Sequence, residues 1–188
     1  MSQEQCRTVL VVAFRGDRSA QAEARFQDQM DNEEHHGGPA PSRVQCLLHA
    51  GHAGLSLDGG RQFFGFNPHN PGLSTRELFN RLAGGECLPG LVLDDTSVFQ
   101  AADQVNLPIA VMEVHLPSNR HAQLDLTVKS ETPSSRFTYG FPYGLGDCNC
   151  ITWMERIGLP LVSGQMKELM GAFAAAGSLS RRFGNCRI

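Results

Sequence analysis

His52-Ala-Gly-Leu-Ser-Leu-Asp-Gly-Gly-Arg-Gln-Phe-Phe-Gly-Phe-Asn67 is the stretch on which the fold turns. Leu55 and Leu57 alternate with small or polar neighbours in the two-residue period of a strand. Gly59-Gly60 is a two-residue hairpin signal, and Arg61 to Asn67 supplies the returning strand. Pairing Asp58 with Arg61 across that turn sets His52 opposite Asn67 on the same sheet face. A slip of one residue would send the two side chains to opposite faces, so the register is itself a prediction.

Working outward, Thr8–Phe14 is apolar and β-branched enough for a first strand. The segment 17–43 carries Gln-Asp-Gln-Met-Asp-Asn-Glu-Glu-His-His-Gly-Gly-Pro and offers little to bury, which predicts a frayed helix and a flexible loop. After the prolines at 68 and 71, Ser74 to Leu82 reads as a short helix with a hydroxyl cap and a glycine stop, its Leu78, Phe79 and Leu82 on one side. Leu91 to Val105 fits neither period. Ile109 to Leu116 is a strand ended by Pro117, and 118–130 is a helix capped by Ser118 or Asn119.

Tyr139 to Gly146, with its glycines and Pro142, is a loop that delivers the chain to Cys148. From Asn149 a helix places Ile151, Met154 and Ile157 on one face and closes at Gly158 and Pro160. A second helix spans 165–176, and the tail 177–188 is loosely held. These expectations make one domain over 1–188 and an α+β fold, with a small antiparallel sheet packed on a helix.

Composition narrows the function classes. With 41% hydrophobic residues in 188, the chain can bury one ordinary core. Its 16 basic and 19 acidic side chains leave a net charge of -3, too little positive surface for a nucleic-acid partner. No apolar stretch approaches the roughly 20 residues of a membrane span, and the first residues lack the pattern of a secretory signal. The expected location is therefore cytoplasmic as synthesised. The six cysteines, at 6, 46, 87, 148, 150 and 186, read as thiols more than as a disulfide framework, because a chain of this length needs no staples.

Cys150 stands in the first turn of its helix, where the macrodipole and the amides of that turn favour thiolate over thiol. A histidine from a neighbouring strand would complete a thiolate–imidazolium pair able to attack a carbonyl carbon, and the same amides could hold the oxyanion. His52 is the candidate base, and Asn67 across the ladder is the candidate group that orients it. The competing reading makes Cys150 a small buried hydrophobe and His52 a satisfied structural histidine.

The motif His52-Ala-Gly-Leu-Ser-Leu-Asp-Gly-Gly, followed much later by Asn149-Cys150-Ile-Thr-Trp, resembles the permuted arm of the NlpC/P60 papain-like superfamily. In that family a strand histidine precedes an Asn-Cys helix start, and the lecithin:retinol acyltransferase-like proteins belong beside it. The resemblance covers residues 44–175 and implies Cys150 as nucleophile, His52 as base and Asn67 as third residue. It implies a peptidase or amidase acting on an amide, isopeptide or thioester carbonyl of a protein or peptide, or an acyltransferase or deamidase on the same fold. No cofactor is implied. Chains of this kind resemble bacterial effector toxins exported by signal-independent systems and held by an inhibitor or immunity protein.

Other assignments compete for the same residues. Cys148 lies two positions before Cys150 and is a rival nucleophile, while His49 and His69 are rivals of His52 and Asn67. His49-x-x-His52 with Cys148-x-Cys150 has the donor types of a zinc site, but the histidines straddle the entry to a strand and the cysteine spacer is short. A disulfide between Cys148 and Cys150 would close a strained ring. Trp153 with Phe63, Phe64 and Phe66 could line a groove, although core packing suits most of them better. A non-enzymatic binding module is the remaining class.

Overall fold

Strand alternation decides which side chains meet. The computed structural model of the protein describes residues 6–69, 72–140 and 149–161. Its strands are β1 (Cys6–Arg15), β2 (Gly51–Ser56), β3 (Phe64–Pro68), β4 (Leu88–Asp94), β5 (Ile109–Pro117) and β6 (Ser134–Tyr139). They form one antiparallel sheet in the order β5-β1-β2-β3-β4-β6. The helices among the described residues are α1 (Ala20–His36), α2 (Arg43–Ala50), α3 (Thr75–Ala83), α4 (Thr96–Gln104), α5 (Ser118–Glu131) and α6 (Cys150–Arg156). The result is a mixed α/β domain with a larger sheet than the sequence suggested.

The two sheet faces carry separate cores. On one, Val9, Val11, Ala13, Ala53, Leu55 and Phe66 pack with Leu124 and Val128 of α5 and with Ile151, Trp153 and Met154 of α6. On the other, Val12 and Phe14 pack with Leu47 of α2 and with Val98, Phe99 and Ala102 of α4. Helix α5 touches β1 and β5 near one edge and β4 and β6 near the other, so the sheet curls around it. Trp153 and Phe66 stack with centroids 6.0 Å apart and are fully buried, which makes them core and not groove lining.

The hairpin register is the expected one over a wider turn. Gly54 pairs with Gly65 and Leu55 with Phe64, and two residues further that register sets His52 opposite Asn67. The strands stop short of Asp58 and Arg61. Asp58 instead gathers the loop, accepting from the Arg61 and Gln62 amides and from the Ser56 hydroxyl.

Several other expectations are corrected. The segment 17–43 contains the 17-residue α1, capped by Ser19 and closed by Gly37 at φ 62°. It is held because Phe26 and Met30 are buried, and because Glu33 accepts the Thr75 amide while Arg76 pairs with Asp31 and Glu34. Leu91–Val105, ambiguous by period, divides into the end of β4 and the whole of α4. Tyr139 belongs to β6 and not to a loop, and no side-chain cap bond begins α5. The predicted helix at 165–176 and the tail at 177–188 lie outside the described residues. No helix of the described residues is long and apolar enough to cross a membrane.

Candidate active site

β2 is buried along its whole length, and His52 is its second residue. Even-numbered positions of β2 face α4: the His52 ring stacks on Phe99 at 5.7 Å, and a Cβ on Gly54 would meet the same phenyl ring. On β3, Gly65 and Asn67 share that face, whereas Phe66 points to the other. His52 and Asn67 are thus on one side of the sheet, as the register requires.

They meet through a third residue. Asp95, at the N-terminus of α4, is fully buried and accepts from His52 Nε2 at 2.8 Å and from Asn67 Nδ2 at 2.9 Å, both on Oδ2. Its Oδ1 forms an ion pair with Arg43 from the start of α2. Asn67 Nδ2 also donates to the Gly65 carbonyl at 3.1 Å. Asn67 therefore positions the carboxylate and does not itself orient the ring, which corrects its expected role. Asp95 escaped notice because Leu91–Val105 gave no clear period; its one signal was a second aspartate just before a helix-starting threonine.

The proton on the His52 ring can be placed by chemistry. A carboxylate only accepts, so Nε2 carries the hydrogen and Nδ1 is the lone-pair end. Nδ1 is buried and has no partner among the described residues. Burial, and next to it the positive charge of Arg43, push the His52 pKa down to about 3. Asp95 would favour imidazolium, but its charge is already matched by the guanidinium. The ring is neutral at physiological pH, so a preformed thiolate–imidazolium pair is not what this arrangement supplies.

Cys150 is the first residue of α6, where Asn149 makes a capping box with Thr152. The Ile151 and Thr152 amides both donate to Asn149 Oδ1, at 2.9 and 3.0 Å. Those two donors are committed to the cap and are not open to an oxyanion, contrary to expectation. The thiol residue is 4% exposed and sits in the core containing Ala53, Leu55 and Trp153. That core covers the sheet face opposite the one from which His52 projects. The structure joins His52 to Asn67 and sets the α6 core across the sheet from both.

The rivals fare differently. Cys148 lies outside the described residues. His49 stacks on Phe26 at 4.1 Å, with Nε2 3.2 Å from Arg18, so it faces away from His52 and the two histidines do not converge on a metal. The one group of possible metal donors among the described residues, Asp31, Glu34 and His35, is exposed and bound up with Arg76. No family model, curated protein or solved structure matches the chain.

Proposed function

We propose that the protein is a cysteine hydrolase of permuted papain-like fold, acting on an amide, isopeptide or thioester carbonyl, with Cys150 as nucleophile and His52 as base. The observation that carries this is the state of the His52 ring: Nε2 held by a buried carboxylate, Nδ1 left as a lone pair with no partner among the described residues. That is the arrangement of an oriented base. Asp95 takes the orienting role and Asn67 supports it.

Nδ1 accepts the thiol proton as the sulfur–carbon bond forms, and the protonated ring returns it to the leaving amine as the carbon–nitrogen bond breaks. Water then cleaves the acyl-thioester. The structure sets Cys150 and His52 on opposite faces of the sheet, so this step requires a rearrangement that brings the α6 start to the ring. A thiol only 4% exposed has to become accessible for that step. Acyl transfer to an amine, or deamidation of a glutamine, would differ only in what enters or leaves the same thioester. A protein or peptide substrate, and a role as an exported effector with a cognate inhibitor, rest on the sequence resemblance.

The opposite placement of Cys150 and His52 favours a second reading, a non-enzymatic binding module in which the Asp95 cluster only ties α2, α4 and the hairpin together. The test is hydrolysis of a panel of peptide amide, isopeptide and thioester substrates by the wild type and by Cys150→Ala. Turnover lost in the variant supports the hydrolase. Wild-type rates no faster than those of Cys150→Ala overturn it in favour of the binding module.

A further inference from the structure

Arg43 is the one member of the buried cluster that reaches solvent, with 37% of its side chain exposed while Asp95 and His52 are sealed. It is fixed at the first position of α2, whose N-cap Ser42 makes a capping box with Gln45, and its Nη2 donates to the Asp94 carbonyl at 3.1 Å. From there its guanidinium meets Asp95 Oδ1 while His52 and Asn67 share Oδ2. One carboxylate thus serves a cation on one oxygen and a neutral donor pair on the other.

From this geometry we infer that Arg43 is a positioning residue that sets the base strength of His52, an assignment that rests on the hydrolase reading for its purpose but not for its test. A buried carboxylate beside an imidazole ordinarily holds the extra proton on the ring. Here the guanidinium takes up that negative charge, so Asp95 fixes the ring's tautomer and direction without making it an imidazolium. Among the described residues, the charged groups facing the ring are Asp95 from the start of α4 and Arg43 from α2. Asn67 of β3, Phe14 of β1 and Phe99 of α4 bring no charge, and the Asp94 carboxylate is turned outward to Gln62 and Thr96. An uncharged residue at 43 would leave the carboxylate acting on the imidazole alone, and Nδ1 would be occupied by a proton in the range where the wild type keeps it open.

The experiment follows the two ring nitrogens of His52 by nitrogen-15 NMR between pH 7.5 and 4.5 in the wild type, Arg43→Gln and Arg43→Lys. The wild-type ring stays neutral with the proton on Nε2 throughout. In Arg43→Gln it titrates within the window, an upward shift of about 1.5 units or more from a wild-type value of about 3, and Arg43→Lys follows the wild type. Titration of the wild-type ring above pH 4.5 overturns the inference with no variant needed, so the test survives if Arg43→Gln does not fold. So does an Arg43→Gln ring that stays neutral, or a lysine variant that shifts as far as the glutamine one. Hydrolysis assays read the enzyme separately, and either result can fail alone.

Discussion

Gly65 has its identity dictated by what lies over it. A Cβ there would collide with the Asp95 carboxylate and with His52 Nε2, backed by a sheet that cannot recede. Gly65→Ala should therefore destabilise the protein by about 1–3 kcal/mol, the usual cost of overpacking, as read by urea unfolding. The His52 ring itself makes stability depend on pH. Its pKa falls from 6.5 in the unfolded chain to about 3 in the fold, so below pH 6.5 the unfolded state takes up a proton that the folded state refuses. Stability is then full above pH 6.5 and falls as the pH drops toward 3, by on the order of 1 kcal/mol per unit. Urea titrations at pH 7, 6 and 5 should show that slope. His52→Gln should flatten it without removing it, because His49 is also held low, first by burial and then by Arg18. Of this cluster, His52 and Asn67 could be found in the sequence because a hairpin register ties them. Asp95 and Arg43 come from other elements, and only the packing of α4 and α2 on the sheet brings them in.

Helix α1 shows where reading polarity as disorder goes astray. Its sequence is almost wholly hydrophilic, yet Phe26 and Met30, one turn apart, form a narrow apolar stripe, and Phe26 meets His49 and Phe79. Two buried side chains and a row of carboxylates directed at α3 suffice to hold it. Phe26→Ala should cost about 3 kcal/mol and open the α1 amides to hydrogen exchange ahead of those of β1. Unchanged protection of α1 would mean that its surface ion pairs hold it. The α6 start, in contrast, was legible in the helical spacing of Ile151, Met154 and Ile157 after Asn149, and the Asn149–Thr152 capping box that fixes it is a local pair the structure adds. What the local sequence could not convey is that this cap occupies the Ile151 and Thr152 amides.

The described residues form a six-stranded sheet with a separate core on each face, and that division sets the functional question. Strands with clear alternation, β1, β2 and β5, were readable from their period. Strands β4 and β6 were not: β4 holds Pro89 and Gly90, and the β6 pairing has a register shift beside them. The sequence placed nucleophile and base on neighbouring elements, but the choice of sheet face for α6 depends on long-range packing of Trp153 on Phe66, which no local pattern encodes. The hydrolase account thus comes down to whether the His52 ring assists the Cys150 sulfur. The direct measurement is the rate at which Cys150 is acylated by a peptide thioester at pH 7, followed by intact mass, in the wild type and in His52→Gln. A drop of roughly 10²–10⁴-fold in the variant is the result expected of a lost general base. Equal rates in the two proteins would contradict the account and leave His52 as a structural group on the far side of the sheet.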